Sequence, residues 1–130
     1  MLHSITIQTR PRYAEADPMG FVHHSVYPIY FEMARTELLR QSGHAYAAIE
    51  KAGIFIVVVK ININFHRPAR YDEELDITAQ LVRSAGARIE HNYLIARNKE
   101  KLVTGSTTLA CIDPSGKPLP VPDQLYYDPA

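Results

Sequence analysis

Between Tyr13 and Gly20 the chain reads Tyr-Ala-Glu-Ala-Asp-Pro-Met-Gly, and a helix signal begins a few residues later, near Tyr27-Pro28. Proline fixes φ and glycine accepts backbone angles that other residues avoid, so Asp17-Pro18-Met19-Gly20 is expected to be a tight turn. A carboxylate on a turn just before a helix N-terminus lies beside backbone N–H groups able to share negative charge. Asp17 is therefore the first candidate for a nucleophile or a general base. Without its neighbours, Asp-Pro-x-Gly would be ordinary turn chemistry.

Other side chains near this turn compete for roles. His23 and His24 are adjacent, so they are expected to point in different directions, and no third His or Cys stands at ligand spacing; no metal site is expected. The His24 side chain can hydrogen-bond near a substrate, orient Asp17, or simply occupy a turn. Glu32 and Arg35, three apart on the helix, read as a surface ion pair. Tyr13 and Tyr27 flank the turn, and core packing is the default for both. Tyr27 stands four residues before Phe31, a spacing that lets the two rings stack along one helical face. Lys60, Arg67, Arg70, Arg83 and Arg88 are candidates to grip phosphate, and arginine suits bidentate phosphate contact. Asn62 and Asn64 read as the solvent side of a strand. Cys111, in Thr108-Leu-Ala-Cys-Ile112, reads as a buried strand thiol.

Composition narrows the classes. The 130 residues fit one domain, and 46% hydrophobic content is enough for a core. Formal net charge is zero, so no global basic field points to nucleic acid. One cysteine excludes a disulfide framework and a cysteine-based zinc site. Met1-Leu-His-Ser-Ile-Thr-Ile lacks a charged segment followed by a long apolar run, and no run approaches the roughly 20 residues needed to span a bilayer. A soluble, cytoplasmic chain without a membrane span is expected.

The elements that must position these residues follow from periodicity. Ile5 and Ile7 alternate with polar neighbours over 3–10, predicting a half-buried strand. Ser25 is the expected N-cap of a four-turn helix whose apolar stripe runs Val26, Ile29, Tyr30, Met33, Ala34 and Leu38. A shorter helix is expected over 44–52. Residues 54–66 are rich in β-branched side chains, with Val59, Ile61, Ile63 and Phe65 alternating against Lys60, Asn62, Asn64 and His66. Leu75, Ile77, Ala79 and Leu81 alternate again, and short loops at Ser84-Ala-Gly86 and Asn98-Lys-Glu-Lys101 link antiparallel strands. Five of the nine prolines lie in 114–130, which reads as an irregular tail pinned by Tyr126 and Tyr127. One helix cannot cover both faces of a five-stranded sheet, and 54–66 leaves a long edge unpaired. A homodimer is expected from both.

This order and the residues around Asp17 resemble the hotdog-fold acyl-CoA thioesterases of the 4-hydroxybenzoyl-CoA thioesterase and YbgC-like family. One block of that likeness is Tyr13, Asp17, Gly20, Val22, His24, Tyr27, Phe31, Glu32, Ala34 and Arg35; a second is Phe65-His-Arg-Pro-Ala-Arg-Tyr-Asp-Glu-Glu-Leu75. Together they cover nearly all of 4–113. Ala16, His66 and Ser25-Val26 depart from the family pattern and leave substrate identity open. The resemblance implies an α+β hotdog fold, a five-stranded antiparallel sheet wrapped around a long central helix, as a single domain over 1–113 with 114–130 as its tail. It implies hydrolysis of an acyl-CoA thioester with Asp17 as the essential carboxylate, Glu32 on the helix as the reserve candidate for that role, and the His24 backbone N–H polarising the carbonyl. It also implies Tyr13, Gly20, Tyr27, Arg67 and Arg70 as substrate contacts, no cofactor beyond coenzyme A as part of the substrate, and a site shared between subunits of a homodimer or homotetramer.

Alternatives remain at this stage. Hotdog dehydratases use a catalytic histidine, and no His-Gly-His-Phe-Pro-like segment is present. A non-catalytic acyl-CoA binding module would not need Asp17. Acyl carrier protein thioesters stay open as substrates.

Overall fold

The computed structural model describes residues 2–129. Its frame is one antiparallel sheet with a single long helix laid across one face. In chain order the elements are β1 (Ser4–Thr9), α1 (Tyr27–Gln41), α2 (Tyr46–Lys51), β2 (Phe55–Phe65), β3 (Leu75–Ala85), β4 (Arg88–Arg97), β5 (Glu100–Ile112) and β6 (Pro118–Leu119), with 3-10 turns at Tyr13–Glu15 and Asp123–Leu125. The spatial order is β1-β3-β4-β5-β2, and β6 pairs with β5. The sheet thus has six strands, not the five expected. β4 reaches Ala110 on β5, and the two-residue β6 takes over at Cys111 and Ile112.

The helix stripe is rotated from the one expected. The buried residues of α1 are Tyr27, Tyr30, Phe31, Ala34, Arg35 and Leu38, whereas Ile29 and Met33 are exposed. Phe31 sets this rotation: its ring lies flat on Tyr93 of β4, centroids 4.3 Å apart and 7° from parallel. Beneath it stands Gly105 of β5, where an added Cβ would come within 2.6 Å of the Phe31 ring. Only glycine lets the ring approach the sheet this closely. Tyr27 therefore does not stack on Phe31; it meets Tyr30 and Phe65 edge-on, at 6.3 and 5.6 Å between centroids.

Under the helix, β3 presents Leu75, Ile77, Ala79 and Leu81, and β4 presents Ile89, His91, Tyr93 and Ile95, all buried. The strand pleat sends their neighbours to the other face. There Thr6 pairs with Thr78, Gln8 with Asp76, and His66 with Thr104 through their side chains, while Asn62, Asn64 and Asn92 are exposed. That face is largely polar, with Leu94 exposed beside Thr78. β2 is an edge strand, its register shifts between Val58 and Lys60, and Val58, Val59, Ile61 and Phe65 are exposed along it.

The Pro-rich segment is fastened to this body. Tyr127 exchanges two backbone hydrogen bonds with Ser84 (2.7 and 2.8 Å) and stacks on His3; Tyr126 is exposed. Met1 and Ala130, the ends of the two expected segments, lie outside the described residues. Among the described residues no helix is long and apolar enough to cross a membrane.

Candidate active site

The loop between β1 and α1 is a folded-back ribbon. Asp17 N–H donates to Phe21 O at 2.7 Å, Gly20 N–H donates to Asp17 O at 2.9 Å, and Ala16 bridges Val22. Gly20 closes the turn at φ +83°, the left-handed region that favours glycine. Within the turn, Asp17 Oδ1 accepts the N–H groups of Met19 (2.9 Å) and Phe21 (3.1 Å). Among the described residues Oδ2 has no partner. One oxygen is held and the other is free.

The chain then runs into α1 without the expected cap. Val26, not Ser25, is the N-cap residue, and no side chain caps it. Ser25 Oγ pairs instead with His23 Nδ1 at 2.8 Å. The rings of His23 and His24 lie against each other, centroids 4.1 Å apart, rather than diverging. The His24 backbone N–H has no acceptor among the described residues. It sits at the helix entrance, where the peptide dipoles favour negative charge.

A groove beside this entrance is lined by Val22, His24, Tyr27, Phe65, His66, Arg67 and Pro68. The fold thus brings together three of the expected contacts, His24, Tyr27 and Arg67. Tyr27 is buried, with its hydroxyl accepting the Ala69 N–H at 3.3 Å. Arg67 is exposed and lies 3.6 Å from Glu100. Arg70 is placed elsewhere, its guanidinium 4.5 Å above the Phe21 ring on the flank of the Asp17 turn. Tyr13 is not core: it is 79% exposed and stacks on Tyr71 with centroids 3.9 Å apart.

One residue escaped the sequence reading. Glu15, two positions before Asp17, is buried. Its Oε1 accepts the Arg12 backbone N–H (2.9 Å) and the Tyr30 hydroxyl (3.1 Å), its Oε2 meets Arg12 Nη2 (3.3 Å), and its carbonyl accepts His23 N–H at 2.9 Å. Burial works to push this carboxyl up, but the Arg12 N–H, the Arg12 guanidinium and the Tyr30 hydroxyl together hold it below the usual range. The signal was available: a carboxylate three residues after the start of a short turn can reach back to its first N–H.

A second polar cluster lies toward the other end of α1. Arg35 is buried, not half of a surface pair; its ion partner Glu32 is exposed and 4.0 Å away. Arg35 borders, with Ser84, His91, Leu81 and Leu109, a cavity of about 40 Å³, room for one or a few waters. Among the described residues, Ser84 Oγ and His91 Nδ1 are buried without a partner there. Burial, with the Arg35 charge added, pushes His91 down to about 3. Cys111 is fully buried on β5, and burial pushes its thiol up, away from nucleophilic use.

Residues 11–128 match the profile of the Thioesterase-like superfamily. The chain belongs to this family. It is 29% identical over 121 residues to the acyl-CoA thioester hydrolase YbgC of Escherichia coli O157:H7, covering 92% of this chain and 90% of that one. The acyl-CoA thioesterase YbgC of Haemophilus influenzae is 29% identical over 120 residues, with 92% and 88% covered. Among solved structures, the DHNA-CoA thioesterase of Staphylococcus aureus superposes with a TM-score of 0.86 at 33% identity, over 90% of this chain and 80% of that one. The observed sheet and helix are those of a hotdog thioesterase, as the sequence led one to expect, and the chain is a thioester hydrolase by family.

Proposed function

We propose that the chain hydrolyses acyl-CoA thioesters at the Asp17 turn. The observation that carries this reading is the asymmetric tethering of Asp17: two N–H groups hold Oδ1, and Oδ2 is left unengaged a few residues before a helix entrance. A carboxylate so fixed serves either of two balanced routes. In one, Oδ2 attacks the thioester carbonyl, the coenzyme A thiolate leaves, and water then hydrolyses the mixed anhydride. In the other, Oδ2 takes a proton from a water that attacks the carbonyl, and the resulting carboxyl returns that proton to the sulfur as coenzyme A leaves as the thiol. In both, charge builds on the carbonyl oxygen, and the His24 N–H at the α1 entrance is the donor suited to it. Tyr13, Gly20, Tyr27, Arg67 and Arg70 remain the proposed substrate contacts, Tyr27 and Arg67 through the groove beside His24.

The YbgC and DHNA-CoA relatives support the coenzyme A ester, while acyl carrier protein esters are the competing substrate. A second copy pairing along β2 would cover Val58, Val59, Ile61 and Phe65 and complete the site as a dimer or dimer of dimers. Release of thiol from short, long, branched and aromatic acyl-CoAs, and from acyl carrier protein esters, tests the function. Retention of most activity in Asp17→Asn removes the assignment of Asp17. An acyl mass increase on the Asp17 peptide in rapid quench selects the nucleophilic route. A stable monomer by light scattering overturns the shared site.

A further inference from the structure

Glu15 takes no part in either route above, yet it is the carboxylate most thoroughly enclosed in this loop. Burying an ionised group is costly unless hydrogen bonds replace its water, and here they come from Arg12 and from Tyr30. Arg12 opens the 3-10 turn within the loop and Tyr30 reaches in from α1, while the Glu15 backbone carbonyl separately accepts the His23 N–H on the returning strand of the ribbon. Asp17 sits between these attachments. Its own tethers, Met19 and Phe21 N–H, are internal to the turn; they shape the turn but do not place it against the helix.

We propose that Glu15 and Tyr30 form a positioning pair that sets the Asp17 turn against the α1 entrance, holding Oδ2 and the His24 N–H in register. This rests on the reading of Asp17 given above. Charge matters less than shape in such a clamp: an amide at position 15 can still accept the Arg12 N–H and the Tyr30 hydroxyl with one oxygen.

The test compares Glu15→Ala, Glu15→Gln and Tyr30→Phe with wild type in acyl-CoA hydrolysis, alongside thermal unfolding. Displacing a reacting group by about 1 Å costs on the order of a hundredfold, so Glu15→Ala should lower kcat by about 30- to 100-fold with KM within about threefold. Glu15→Gln should recover about tenfold of that loss, and Tyr30→Phe, which removes only a hydroxyl, should cost about five- to tenfold in kcat. A kcat within about threefold of wild type in Glu15→Ala overturns the proposal. So does a loss that tracks the unfolded fraction and is not rescued by glutamine. Amide hydrogen exchange provides a readout independent of activity. Met19 and Phe21 N–H should exchange at least about tenfold faster in Glu15→Ala and Tyr30→Phe, with β3 amides unchanged; unchanged exchange at Met19 and Phe21 sinks the clamp. If Asp17→Asn is as active as wild type, the catalytic reading fails, while exchange still decides whether Glu15 holds the turn.

Discussion

At the N-terminal end of α1, Glu15, Arg12 and Tyr30 satisfy one another within 3.3 Å. Toward its C-terminal end, Arg35, His91 and Ser84 share a small cavity and leave Ser84 Oγ and His91 Nδ1 buried without partners among the described residues. Both clusters sit under the same helix and both put ionisable groups in the interior. The difference lies in completeness. A satisfied buried carboxylate is a rigid anchor, whereas orphaned polar atoms cost stability and specify little. The satisfied cluster lies next to Asp17, where the proposed chemistry requires exact geometry; the unsatisfied one lies where no reaction is proposed.

The largest expected effect separates the two ends by activity. Asp17→Asn should reduce thioester hydrolysis by roughly 10²- to 10⁴-fold, measured as thiol release at saturating acyl-CoA. Ser84→Ala, at the other end, should leave it within about twofold. If both variants lose activity alike, the division between a reacting end and a structural end fails.

Next is pH. His91 is held near 3 in the fold against an ordinary value of 6.5, so between those values the unfolded chain binds the extra proton. Its contribution is fully present above about 6.5 and is lost as pH falls toward 3, by on the order of a few kcal/mol. The lowered carboxyls, Glu15 among them, also destabilise the fold on acidification, but only as pH drops below their ordinary 4.5. Urea unfolding at pH 7, 6 and 5 therefore isolates the histidine. His91→Phe should flatten that window, while Glu15→Gln should leave it and flatten the region below about pH 4.5.

Between the two ends, Gly105→Ala should cost about 1–3 kcal/mol by forcing Phe31 off the sheet, read as a shift in the urea midpoint without a change in slope. The smallest effect is Ser84→Ala itself. Removing an unpaired buried hydroxyl should be neutral or stabilising by up to about 1 kcal/mol; a loss of more than that in thermal unfolding means that water or a ligand in the cavity satisfies Ser84 Oγ.

Local pattern carried much of this fold. Alternation in 75–81 and the short loops at 84–86 and 98–101 were enough to place β3, β4 and β5 side by side, since the strand period is two and tight loops permit only antiparallel neighbours. Asp17-Pro-Met-Gly20 announced its turn because proline and glycine restrict the backbone locally. The helix was legible in extent but not in rotation: Ile29 and Met33 are as apolar as the residues that are buried, and only the flat stack of Phe31 on Tyr93 over Gly105 decides which face turns inward.

Contacts between residues distant in the chain were beyond local pattern. Tyr13 lies on Tyr71 and Arg70 on Phe21, contacts that no local pattern announces. Arg35 had the spacing of a surface pair and is buried because Tyr46 of α2 and His91 and Tyr93 of β4 enclose it. Which residues can react is a property of side-chain type and nearest-neighbour spacing, and so it is written along the chain. Which of them are held in place depends on donors contributed across the loop and the helix, as Tyr30 and Arg12 do for Glu15, and those distances exist only once the chain has folded.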